Sequence, residues 1–368
     1  MKAPAARPPG PAAGASAVPA GRNYALDLLR IVSITGVIAI HAFGQIAGDD
    51  AARGTAGWLP AAVIDIGFIW VVPVFVMISG TLTLSLKAQL PGPRVFYRRR
   101  AVRLLPALVF WHLVYLLAVP ALVSGRPLDA GQVAAEVFFN RVAPHLYFLW
   151  LILGLYLAAP PLARFLHRGS LRRAVLATAA VQLLFLAVFA VQAWNIETGG
   201  NWRFPWNILT QWIPYVGYFM AGWVLTQLLV SRNAAAAAGA AGAVLSIFNI
   251  WHWISRDKPL LLDVLAPTNY LGLGVTAASM CIFFSVFHLL RGWRPGDRTG
   301  RILRALSNAS FGVFLCHYLV LLWLTFVVFP TPGVPTFALA ALKFAIATVA
   351  SFAISLAAAR IPVLRAVF

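Results

Sequence analysis

Acidic residues are scarce in this chain: ten aspartates and glutamates stand against 29 lysines and arginines in 368 residues, and all charged types together make up 11%. An ordinary water-soluble domain is about a quarter charged, so the composition excludes one. Cysteine is nearly missing too. Cys281 and Cys316 both fall in apolar runs, which excludes a disulfide framework or a cysteine metal site and leaves packing as their role. No two histidines stand four apart, so no metal site is expected. The apolar runs do not alternate, which excludes a barrel. No internal repeat of one half in the other is present, which argues against a transporter or flippase.

What the chain does hold is hydrocarbon, with 61% of its residues hydrophobic. Runs of about twenty apolar residues suffice to cross roughly 30 Å of lipid as a helix. They predict an all-α integral membrane bundle of about ten helices: Leu26–Ile46, Pro60–Leu84, Ala101–Val119, Leu146–Leu166, Ala174–Trp194, Ile208–Val230, Ala234–Ile254, Leu265–Leu289, Ile302–Val328 and Phe337–Ala359. Residues 1–22, rich in Ala, Pro and Gly, lack an apolar core long enough for a signal peptide. They read as a disordered cytoplasmic tail ahead of a membrane-embedded domain, 23–368.

Charge orients the bundle. With the N-terminus inside, 21 basic residues fall on the cytoplasmic side, among them six from Lys87 to Arg103 and five from Arg291 to Arg304. Only six, Arg53, Arg126, Arg141, Arg203, Arg256 and Lys258, fall outside, while Arg30 and Lys343 lie within helices. Loops kept in the cytoplasm carry the basic excess, so both termini are expected there. The net charge of +19 is then a topology signal and an attraction for anionic lipid or an anionic cytoplasmic ligand, with no nucleic acid implied.

Ionisable residues inside lipid are functional candidates by default. Arg30 and His41 share the first helix at a spacing of eleven, about three full turns, which places them on one face roughly 16 Å apart. A snorkelling arginine and a histidine satisfied by a neighbouring helix would also give this pair. Arg100 and Arg103 share a face at the start of the third helix. Their planar guanidinium forks suit phosphate groups. Positive-inside anchoring accounts for Arg98 and Arg99, but poorly for Arg103, one turn into the apolar run.

The stretch Arg22-Asn-Tyr-Ala-Leu-Asp27-Leu-Leu-Arg30, ten residues and then His41, resembles the opening signature of the acyltransferase 3 family. Arg100-Ala-Val-Arg103 resembles its paired-arginine motif, and Pro73-Val-Phe75-Val-Met-Ile-Ser79-Gly80 its second-helix element. His145-Leu-Tyr-Phe-Leu with Tyr156 and Pro160 is similar to its fourth-helix pattern, and Ser310-Phe-Gly-Val-Phe-Leu-Cys-His317 to its penultimate helix. Tyr147 stands where the family usually carries tryptophan. Because the sequence ends with its last helix, the extracytoplasmic hydrolase-like domain fused to some members is expected to be absent.

The resemblance implies an acyltransferase of groups other than aminoacyl, moving an acyl group, acetyl by family habit, from cytoplasmic acyl-coenzyme A to a hydroxyl of a carbohydrate or lipid-linked glycan. Surface or exopolysaccharide O-acetylation in a bacterial cytoplasmic membrane is the expected setting, with polysaccharide-assembly proteins as possible partners. Arg100 and Arg103 would take the nucleotide phosphates, Arg30 the upper part of the cofactor, and the pantetheine arm would span the interval to His41. His41 is the expected general base, since a neutral imidazole accepts the hydroxyl proton. A transient acyl-histidine is the other route. Asp65 is a candidate to orient the imidazole. Ser79, Tyr156, His317 and His145 are candidates for substrate or support roles, whereas His112 reads as packing. The rival classes are a transporter or flippase and a non-catalytic partner in polysaccharide export.

Overall fold

The computed structural model describes residues 22–124, 129–255 and 259–368. Residues 1–21 of the expected tail (1–22) and Arg126, Arg256, Asp257 and Lys258 lie outside the described residues. The structure is 77% helical, with no strands among the described residues. The helices are α1 (Tyr24–Ala47), α2 (Trp58–Gly67), α3 (Val71–Thr83), α4 (Leu86–Gln89), α5 (Pro93–Val119), α6 (Ala130–Phe138) and α7 (Tyr147–His167). They continue with α8 (Leu171–Glu197), α9 (Val216–Gln227), α10 (Arg232–Ile254), α11 (Leu260–Leu265), α12 (Leu273–Leu290), α13 (Asp297–Trp323) and α14 (Phe337–Ala358).

Among the described residues nine helices, counting α2 with α3 as one span, are long and apolar enough to cross a membrane. The expected tenth, Ile208–Val230, is only partly helical. Pro205 and Pro214 remove backbone donors, and the chain descends irregularly until α9, whose 12 residues rise about 18 Å. From Gln211 onward the irregular part is covered by protein, which makes it tolerable in the membrane. Gln211 Nε2 donates to the Tyr147 carbonyl at 3.3 Å, and the Trp212 ring fills the space beside Gly154. The segment still runs from one end of the bundle to the other. Tyr218 Oη lies by Tyr270, before α12, while the Leu225 carbonyl accepts from His288, near α12's far end.

Small residues let backbones meet where no hydrophobic force separates helix from lipid. Gly80 of α3 lies on the Phe219 carbonyl and Gly222 of α9 on the Met77 carbonyl, so neither position has room for a Cβ. Gly36 of α1 gives room to the side chains of Phe68 and Val71, at the break between α2 and α3. α1 is the most enclosed span. Exposed apolar side chains such as Leu117, Leu183, Ile247 and Val349 face outward from α5, α8, α10 and α14. Trp194, Trp202, Trp206, Trp251 and Trp323 are exposed near the helix ends that charge assigns to the outside, where aromatic belts form. Arg22, the first described residue, and Phe368 lie at one end of the bundle. Arg22 binds Asn308 and Trp111 donates to the Val367 carbonyl, while Phe368 packs at Gly312, one turn from Asn308.

Candidate active site

α1 starts where the Asn23 side chain accepts the free N–H groups of Ala25 and Leu26, an N-cap that fixes the helix phase. That phase turns Asp27 and Arg30 toward α13. Asp27, buried, accepts from Arg22 at 2.5 and 2.9 Å and from Ser307 at 2.7 Å. Arg30 donates to Ser307 at 3.0 Å and stands 4.0 Å from Asp27. The network holds Arg30 at the wall of a cavity of about 510 Å³.

α5 begins at Pro93, two turns ahead of the apolar run, so Arg100 and Arg103 already lie on a helix with their side chains at the same cavity. Arg100 stacks over Phe96 at 5.4 Å and Tyr156 at 5.1 Å, and Arg103 over Phe311 at 5.9 Å. Cation–π contact orients a guanidinium and leaves its N–H edge free. Neither arginine has an ion-pair partner among the described residues. Arg22, Arg30, Arg100 and Arg103 face Asp27 as the one acid lining the space, so the cavity is strongly positive. Ser79, Leu104 and Ile152 also line it.

Phe75, Phe148 and Phe314, from α3, α7 and α13, close the cavity's far end, with ring centroids 6.1 Å apart for Phe75 and Phe148 and 5.5 Å for Phe148 and Phe314. The same three rings line a chamber of about 40 Å³ with His41, His145, Tyr147 and Tyr270. A second chamber, of about 20 Å³, opens on the other side of His41 toward Tyr318 and Lys343. His41 lines both.

His41, His145 and His317 cluster, with centroid separations of 6.2 Å from His41 to His145, 5.4 Å from His41 to His317 and 5.0 Å between the last two. His317 Nδ1 lies 2.7 Å from the Phe314 carbonyl and 3.1 Å from that of Val313. Its N–H must donate there, leaving Nε2 as an unpartnered acceptor beside His41. Tyr115, 5.0 Å from His145 by centroids, donates to the Leu315 carbonyl and accepts from Leu319 N–H, pinning this turn of α13. His112 is fully occupied: Nδ1 donates to the Leu108 carbonyl at 2.8 Å and Nε2 accepts from Trp150 at 3.0 Å.

The structure thus gathers Arg30, Arg100, Arg103, Ser79 and Tyr156 at one cavity and His41, His145 and His317 in one cluster. Asp65 stands elsewhere. It meets α1 at Gly44, one turn beyond His41, and shares no hydrogen bond with the imidazole. The phenylalanine constriction, the Asp27–Ser307 tether and Lys343 escape a reading by motif. For Lys343 the signal was visible, a cation alone in an apolar helix.

Fold and cavities define a multi-pass helical membrane protein with a cationic cavity at one end and a histidine chamber toward the other. The chain belongs to the acyltransferase 3 family, whose model, described as an acyltransferase domain, matches residues 23–360. It is therefore a membrane acyltransferase. No curated protein and no solved structure matches it.

Proposed function

We propose that this enzyme moves an acyl group, acetyl by default, from cytoplasmic acyl-coenzyme A to a hydroxyl of a carbohydrate or lipid-linked glycan in the bacterial inner membrane, modifying surface polysaccharide or exopolysaccharide. The observation that carries the reading is that the arginine cavity and the His41 chamber meet at the same three phenylalanines, so one extended donor can lie in both. Phosphates lie against the Arg100 and Arg103 forks, with Arg30 held by Ser307 further in. The acyl thioester passes the phenylalanine rings and reaches His41.

The hydroxyl proton moves to a ring nitrogen of His41 as the hydroxyl oxygen bonds to the thioester carbonyl carbon. Collapse of the tetrahedral adduct breaks the C–S bond, and the imidazolium returns the proton to the departing thiolate. His317 and His145 pack against the imidazole, and Asp65, at Gly44, would act on it through space rather than by direct contact. Replacing His41 with Ala should abolish transfer and leave acyl-coenzyme A affinity within about two-fold of wild type, because the base works at the reacting carbon and not on the nucleotide. Turnover near the wild-type rate in a correctly folded His41→Ala protein overturns the reading.

A further inference from the structure

The second chamber beside His41 contains a group that the transfer step leaves unused. Lys343, under two turns into α14, is 4% exposed, and its Nζ has no hydrogen-bond partner. No ion pair to it exists among the described residues. A lysine that snorkels from lipid carries its ammonium out to water, whereas the buried side chain of this one lines the small chamber beside His41, with Gln45, Tyr318 and Thr325.

An ammonium offers three donors and no acceptor, and a buried charge without a counter-ion is strongly unfavourable. Neutral hydroxyl oxygens can take those hydrogen bonds, but they do not neutralise the charge. An anionic group on a ligand in this chamber would supply the missing counter-charge. On the reading above the donor approaches His41 from the phenylalanine side, so a ligand on the opposite side is the acceptor. The wall there is irregular: a π-helical turn, Leu324–Val328, carries Thr325 and Phe326, and Pro335 follows from the loop before α14. π-Helical turns are frequent at functional sites. The chamber has room for about one water, so the acceptor enters by displacing this wall and not a packed α-helix.

We propose that Lys343 is the acceptor-binding cation: it holds a carboxylate or phosphate on the acceptor glycan, between α1, the end of α13 and α14, so that a neighbouring hydroxyl meets His41. This rests on the acyl-transfer reading and adds the charge of the acceptor. It also assigns acceptor selectivity to a side chain that touches neither donor nor reacting thioester.

The test uses full-length protein in its native membranes with labelled acetyl-coenzyme A, comparing wild type, Lys343→Met and Lys343→Arg. The label should enter a glycan that binds an anion exchanger at neutral pH. Lys343→Met should lower the rate at limiting acceptor by about ten-fold or more, with acetyl-coenzyme A affinity unchanged, and Lys343→Arg should retain part of the rate. Reducing the glycan carboxyl groups beforehand should remove acceptance if the anion is a carboxylate, and stripping phosphate should do so if it is a phosphate. A labelled glycan that is neutral, wild-type transfer by Lys343→Met, or equal loss of donor affinity and transfer in both variants would overturn the proposal. Wild-type protein that binds acetyl-coenzyme A and labels no glycan would instead overturn the transfer reading, and this proposal with it.

Discussion

Exchanging Arg100 or Arg103 for lysine separates a phosphate clamp from a topological anchor. Lysine preserves the charge that orients the bundle but loses the planar fork that grips phosphate oxygens in pairs. Arg100 also loses its stacking on Phe96 and Tyr156, worth about 0.5 to 1 kcal/mol at an exposed site. A hydrogen bond to a charged group contributes about 1.5 to 3 kcal/mol, so each substitution should weaken acyl-coenzyme A binding roughly ten-fold to a hundred-fold. Neither arginine is held by an acid among the described residues, so no buried carboxylate is orphaned and folding should be little affected. Acyl-coenzyme A affinity would be measured by calorimetry on purified protein in nanodiscs, with labelling of cytoplasmic and outer cysteines to verify insertion. Unchanged affinity in well-inserted Arg100→Ala and Arg103→Ala proteins would refute the clamp and leave only an anchor.

Two further outcomes follow from the packing. Phe148→Trp enlarges one of the three rings shared by cavity and chamber; overpacking there is worth about 1 to 3 kcal/mol, so transfer should fall about ten-fold while donor affinity, measured on the same nanodiscs, stays within about three-fold. Gly222→Val drives a side chain into the Met77 backbone, and thermal unfolding followed by size-exclusion fluorescence should show a clear loss of stability, which an unshifted midpoint would contradict.

Much of this site was legible because α1 is regular. A spacing of eleven in a straight helix fixes the face, and Arg30 and His41 both do meet α13, at Ser307 and at His317 with Tyr318. Arg100 and Arg103 were legible as cations at one membrane surface, and Tyr156 only through the fourth-helix resemblance. The constriction was not, because it takes one ring from each of three helices and phenylalanine is common in any apolar run. The irregular segment at Ile208–Val230 was read as a full helix because hydropathy does not register where Pro214 interrupts the hydrogen-bond ladder. The histidine cluster was legible only in part: the motifs single out His41, His145 and His317 one by one, but side-chain reach across α1, α7 and α13 sets their separations.

Acyl donor and acceptor approach His41 from opposite sides of one protein on the reading proposed above. Sealed vesicles of known orientation, given labelled acyl-coenzyme A only on the side where a cysteine at Gly296 is accessible, test it most directly. Labelled glycan should form on the opposite face, none when the donor is supplied there, and none from either side with His41→Ala. Label that forms equally from both sides, or that stays on the donor's face, would contradict it.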